Sequence, residues 1–210
     1  MGKRFDTGKK EIDVNKEYSI EEALELAKKT GTTKFAGNIE VHAKLGIDPK
    51  KTEQTVRGTV SFPHGTGRTK RVAIFAGPEG EELIKKIKET GRTDFDVAVA
   101  EPAIMPKLAQ IAKILGPKGL MPNPKTGNVT VDVEKAVKEY SSGKTEFKND
   151  ESGNVHVAIG KTNFETEKLA ANFKAFMEAL QGAKGTGMKK EFIQKLALHA
   201  TMGPAIRVKI

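Results

Sequence analysis

Four histidines are the first candidates for chemistry: His42, His64, His156 and His199. A zinc site on a helix pairs histidines at i, i+4, and many structural sites add thiolates. None of the four has that spacing, and the chain has no cysteine. That absence also excludes disulfides and a thiol nucleophile. His42, His156 and His199 each fall on the polar side of an alternating strand, so they read as solvated or RNA-facing rather than catalytic. There is no G-x-S-x-G elbow, and no pair of carboxylates stands out from the helix-surface acids. Gly77-Pro78-Glu79-Gly80-Glu81-Glu82 follows a buried-type strand, where α/β proteins often hold nucleotides. It lacks both glycine fingerprints, and its three acids would repel a phosphate. Neither a catalytic centre, a metal nor a cofactor is expected.

Two other segments are suited to contact rather than catalysis. Ile114 to Gly127 holds three Gly, three Pro and two Lys. Such a stretch is rigid, exposed and cationic, fit to touch a phosphate backbone through Gly116, Lys118, Gly119 and Lys125. The alternative is a long structural connection. In Ala200-Thr201-Met202-Gly203-Pro204-Ala205, Gly allows close approach, Met a polarizable surface and Thr a hydroxyl. Together they could pack on a ribose or base, and alone they would form an ordinary turn.

The strands that must position these residues are of two kinds. In one kind apolar and polar residues alternate: Ile39 to Ile47, Thr55 to Phe62, Asn154 to Ile159, Lys195 to Thr201 and Ile206 to Ile210. Alternation gives one dry and one wet face, as in an antiparallel sheet open on one side. The other kind is continuous: Val72 to Ala76 and Val97 to Ala100, the pattern of parallel strands covered on both faces. The first kind lies before about residue 63 and after about residue 143, and the second between. A domain inserted within another is the economical reading: residues 1–63 and 143–210 form the outer domain and 64–142 the insert. Turn chemistry at Pro63 to Gly67 and at Ser141 to Gly143 marks the crossings. Ser19 with Glu22, and Thr162 with Glu165, read as capping boxes. They would open two helices lying on one face of the outer sheet, an α+β sandwich. In the insert, Glu79 to Thr90, Ala103 to Leu115 and Asp132 to Tyr140 read as helices, and the basic first dozen residues as a mobile arm.

The chain has 210 residues, 36 Lys plus Arg and 27 Asp plus Glu, a formal charge of +9. An excess of cations suggests a polyanion partner, most often nucleic acid. Residues 64–142 hold 13 cations and 10 anions, and the remainder 23 and 17, so most of the excess sits in the outer domain. Its cations include Lys34, Lys44, Arg57, Lys144, Lys148, Lys195 and Arg207. The longest apolar runs, about five residues, fall far short of the roughly 18 that a membrane span needs. The charged amino terminus has no apolar core of a secretory signal. A soluble cytoplasmic protein with no membrane partner is expected.

Five segments in order carry a resemblance: Lys34 to Pro49, Val56 through Gly67, Ile114 through Lys125, Glu146 to Asp150, and Thr201 to Pro204. Over essentially the whole chain the sequence closely resembles the bacterial form of the L-one family of large-subunit ribosomal proteins. That resemblance implies an α/β fold of two domains, a discontinuous α+β split sandwich with an inserted Rossmann-like domain. It implies a non-enzymatic protein that binds rRNA of the mobile stalk, helps release deacylated tRNA from the exit site, and represses its own mRNA by binding its leader. Off the ribosome it would be a monomer. The RNA contacts carried over are Lys34, Phe35, Asn38, Glu40, Lys44, Lys148, Asn149, Asp150, Thr201, Met202 and Gly203, with Phe35 open to a packing role as well. The insert's Gly116 to Lys125 loop would add weaker contacts. One departure is the short Lys88 to Asp96 segment, where the family usually carries a further small element. The rival reading is a nucleotide-binding or RNA-modifying enzyme that uses the insert.

Overall fold

The computed structural model describes residues 2–51, 54–185 and 191–210. In chain order its elements are α1 (Lys3–Lys10), α2 (Ile20–Thr30), β1 (Asn38–Leu45), β2 (Arg57–Ser61), β3 (Val72–Phe75), α3 (Gly77–Thr90), β4 (Val97–Ala100), α4 (Met105–Leu108), α5 (Ala112–Leu115), α6 (Val133–Ser141), β5 (Lys144–Lys148), β6 (Asn154–Lys161), α7 (Thr166–Gly182), β7 (Ile193–Ala200) and β8 (Ile206–Val208). By contacts the chain divides into two compact units, residues 1–67 with 145–210, and residues 68–144. No helix among the described residues is long and apolar enough to cross a membrane.

The first unit is built on a sheet of order β6-β1-β7-β8, with every pairing antiparallel. Strict alternation in β1 fixes the register. Val41 lies between Val157 and Leu198, and Ala43 between Val155 and Leu196, all buried. A one-residue slip would turn that apolar row to solvent. The dry face meets Leu24 and Ala27 of α2 and Leu169, Phe173, Phe176 and Leu180 of α7 in one core. Those α7 positions recur every three to four residues, so one helix face carries all of them. β2 and β5 form a separate two-stranded sheet whose Val60 and Phe147 join the same core. The Phe147 ring lies over Gly58, where an added Cβ would come within 2.7 Å of it. Arg57 belongs to this small sheet, paired with Glu146, and so does not lie on the wet face of the larger one.

Ser19 and Glu22 form the expected reciprocal cap: the Ser19 hydroxyl accepts from Glu22 N–H and the Glu22 carboxylate from Ser19 N–H. The second expected box is absent. α7 starts at Thr166 with Glu165 as its unassisted cap, because the chain is still turning at Thr162 and Asn163. The amino terminus also departs from expectation. It forms α1, not a free arm, with Gly8 against Thr30 and Pro204 and Ile12 buried in the core. Phe5 and Ile12 stand seven residues apart, a weak apolar stripe that the surrounding lysines obscure.

In the second unit β3 and β4 pair in parallel, and Val129 adds a parallel bridge at Ala100. Phe75, Ala98, Ala100, Ile104 and Leu108 pack on one side, and Val99, Ala136 and Tyr140 on the other. β4 is thus covered on both faces. β3 lies at the edge and leaves Ile74 exposed, so its apolar run overstated its burial. The single helix expected over Ala103 to Leu115 is instead α4 and α5 alternating with 3-10 turns. Pro106 contributes no N–H, and a segment this short and interrupted tightens into i, i+3 bonds. Gly91, with φ +65°, ends α3, and the chain runs directly on to β4.

Candidate nucleic-acid interface

The site begins with β1. Its odd-numbered residues are buried, so Glu40, His42 and Lys44 stand on the opposite face of the sheet. From Asn38 to Lys44 is about 20 Å along a strand. Beside them in register stand His199, Ala197 and Lys195 of β7, and Ala158, His156 and Asn154 of β6.

At one end of this face the chain segments before β1 and after β7 are tied together. The Thr201 hydroxyl accepts the Asn38 N–H at 2.9 Å, and Thr201 N–H donates to the Asn38 carbonyl at 2.9 Å. Gly37 packs against Thr201, with room for no more than a tight Cβ contact. The turn closes with Gly203 N–H donating to the Ala200 carbonyl. Met202 takes φ +64°, the one described non-glycine residue in that region. Two large apolar side chains stay in solvent here, Phe35 at 63% exposure and Met202 at 74%. This settles the alternative for Phe35: it does not pack into the core. Lys34 is exposed beside it.

At the other end Asp150 organises the turn between β5 and β6. Its carboxylate accepts the backbone N–H groups of Ser152 and Asn154, the Asn154 amide, and His156 Nε2 at 3.3 Å. The Asn154 N–H is the leading reason its carboxyl is held far below the usual carboxylate range. The Lys44 ammonium donates to the Ser152 carbonyl, and Lys148 stands exposed. Asn149 is engaged within the protein itself. It is 8% exposed, its carbonyl accepts Val56 N–H at 2.8 Å and its amide donates to Asp150. Through these bonds it clamps the start of β2 against the end of β5.

Between the two ends the structure brings together three histidines that sequence reasoning left scattered. His42 stacks on His199 with ring centroids 4.5 Å apart, and its Nδ1 meets His156 Nδ1 at 2.5 Å. The signal was available: three polar-face histidines on three strands of one sheet. Only the register showed that the strands are neighbours. Burial, then the nearby His199 and His156, push His42 down to about 4. An unfolded histidine titrates near 6.5. Between those values the unfolded chain takes up a proton that folded His42 refuses, so stability falls as pH drops from about 6.5 toward 4. The facing charged groups are Glu40 and Lys44 on β1, His156 with Asp150, and His199 and Lys195 on β7. His42→Gln is therefore expected to flatten the pH dependence of urea unfolding between pH 7 and pH 4.5. An unchanged slope would show that His42 titrates normally.

In the second unit the 114–127 segment is tighter than a plain loop. Gly119 N–H donates to Gly116 and Leu120 N–H to Leu115, and Gly119 has φ +69°. Gly116, Lys118 and Gly119 are exposed, and Lys118 Nζ donates to Thr93 Oγ1 at 2.8 Å. Lys125 lies in a 3-10 turn, Pro124–Thr126.

The fold and site define a mixed α/β protein with an open, lysine- and histidine-bearing sheet face ending in exposed apolar and hydroxyl groups. The family model for the ribosomal protein L1p/L10e family matches residues 26–204, and the chain belongs to that family. It is similar over its whole length to the large ribosomal subunit protein uL1 of Mycoplasma capricolum, at 46% identity with 98% of that protein covered. Identity and coverage are the same for the Mycoplasma mycoides protein of that name. For the Thermosipho melanesiensis protein the identity is 45%, over 98% of this chain and 95% of the relative. The relatives carry the name of a ribosomal protein and not of an enzyme.

Proposed function

We propose that this chain is a structural component of the large ribosomal subunit that binds rRNA of the mobile stalk through the open face of its four-stranded sheet. The observation that carries this reading is end-to-end similarity to proteins named large ribosomal subunit protein uL1. The chemistry of the face supports it. Lys34, Lys44 and Lys148 can neutralise phosphates. Phe35 and Met202, both largely exposed, can stack on bases or riboses. Asn38, Glu40, Asp150, Thr201 and Gly203 supply polar or closely approachable groups beside them. Asn149 positions the turn that bears Asp150. The Gly116, Lys118, Gly119 and Lys125 loop adds weaker contacts.

In the same reading residues 1–63 with 143–210 are the discontinuous RNA-binding domain, a split α+β sandwich, and 64–142 a Rossmann-like insert. The protein assists release of deacylated tRNA from the exit site. It also represses its own mRNA through a leader that mimics the rRNA site, and it is a monomer off the ribosome. The test is filter binding of the full chain to a stalk rRNA fragment and to a scrambled fragment, across a salt series. Tight binding to the first alone is expected. Lys148→Ala is expected to lower the slope of log K against log salt by about one. Equal affinity for both RNAs would remove the reading, and failure of the mRNA leader to compete with the rRNA fragment would remove the repressor part alone.

A further inference from the structure

We propose that Glu40, His42 and His199 form a site for one divalent transition-metal ion of the zinc class on the open face of the sheet. Each offers a ligand atom within 4.8 Å of the other two. The strands hold them there: Glu40 and His199 are register partners on β1 and β7, and His42 is two residues along on the same face.

The remaining nitrogens are arranged as a metal site requires. His199 Nδ1 donates to the Ala200 carbonyl at 2.9 Å. That bond fixes the tautomer and leaves a lone pair on Nε2, which lies 3.9 Å from Glu40 Oε2. His42 Nδ1 is engaged by His156, and His156 is held in turn by Asp150. This leaves His42 Nε2, which is closed off from solvent and is the one buried side-chain nitrogen or oxygen among the described residues without a hydrogen-bond partner. Backbone carbonyls and carboxylate–histidine relays of this kind orient imidazole ligands. Here each imidazole has one nitrogen occupied and carries a lone pair on the other.

Two imidazoles and a carboxylate form the donor set of an open zinc site, with a fourth position left for water or an outside ligand. Nitrogen donors disfavour Mg²⁺ and Ca²⁺, and the lack of sulfur disfavours Cu⁺. The ligand atoms lie 3.9–4.8 Å apart, against about 3.3 Å between ligands of one tetrahedral ion, and the His42 and His199 rings stand nearly parallel, so one imidazole must turn out of the stack for both lone pairs to reach the same ion. Lys44 and Lys195 stand one row away and oppose a cation. Lys44 is drawn off toward Ser152, and Lys195 is exposed, where solvent and salt screen its charge.

The test uses the full chain, stripped with chelator and free of RNA, so its outcome is separate from that of the rRNA reading. Zn²⁺ is titrated against a chromophoric competitor, and Co²⁺ is followed by its visible absorption. One equivalent per chain is expected, with the intense bands of a tetrahedral Co²⁺ centre. His42→Ala, His199→Ala and Glu40→Gln should each weaken Zn²⁺ by at least about tenfold, and His156→Ala by a smaller factor. His64→Ala, in an exposed loop away from the cluster, should leave affinity unchanged. If a histidine variant fails to fold, Glu40→Gln decides the matter. Unsaturable binding, weak octahedral Co²⁺ bands, or equal losses in His64→Ala would overturn the site.

Discussion

Met202→Asp is expected to weaken binding to stalk rRNA by ten- to a hundredfold, about 1–3 kcal/mol, with almost no effect on stability. Met202 is 74% exposed and its side chain supports nothing in the core, so an exposed change should stay within about 0.5 kcal/mol of stability. Its backbone sits at φ +64°, a region Asp enters more readily than most residues, so the substitution adds no strain. What it adds is a carboxylate where an RNA backbone would approach. Filter binding and thermal unfolding of the same preparation separate the two effects. Thr201→Val is the informative contrast. It removes the acceptor of the Asn38 N–H, so it should lower stability by about 1 kcal/mol together with affinity. If Met202→Asp bound RNA like the parent, the tip of the β7–β8 turn would be no part of the interface.

The second large effect is on the scaffold. Asn172 is fully buried in α7. Its amide donates to the carbonyls of Ile159 at 2.7 Å and Gly65 at 2.8 Å, and its carbonyl accepts His64 N–H at 3.2 Å. One side chain thereby holds three backbone groups, one in β6 and two in the turn after Phe62. Asn172→Ala removes a partner from all three, and a group left buried without one costs about 1–3 kcal/mol. A loss of about 3 kcal/mol is expected, or roughly 6–12 °C in the unfolding midpoint of a chain this size. Urea unfolding with an unchanged m-value measures it. A loss under about 0.5 kcal/mol would mean that solvent reaches the site. RNA affinity of the folded variant should stay near the parent's, the mirror image of Met202→Asp.

The outer strands were legible because their apolar residues obey a period of two without interruption. Ile39, Val41, Ala43 and Leu45 specify both the strand and the side it buries. The Ser19–Glu22 cap was legible for a similar reason: both partners lie within one turn, so sequence spacing is spatial spacing. The Thr162–Glu165 pair had the same hydroxyl-to-glutamate spacing and failed, because whether a helix has begun there depends on where β6 ends. α1 was missed since its stability comes from contacts with Thr30 and Pro204, which are distant in sequence, and not from its own composition. The Ala103–Leu115 pattern was read as one helix because periodicity does not distinguish a helix from short turns bent around Pro106. Ile74 looked buried because an apolar run carries no sign of whether its strand is central or at an edge.

The sequence by itself determined the family, the alternation that opens one sheet face, the positive charge and the lack of a thiol. These are local or additive properties, and each survives without knowing which strands are neighbours. Only the tertiary structure decided what stands beside what. It set β1 between β6 and β7, and so gathered His42, His156 and His199, whose positions span more than 150 residues of chain, into one cluster with Glu40. It turned Asn149 inward as a clamp and left Phe35 and Met202 outward. The physical reason is that register is set jointly by the packing of the dry face. That packing fixes the opposite face as a by-product, and the chemistry of that face therefore appears only once the strands are in place.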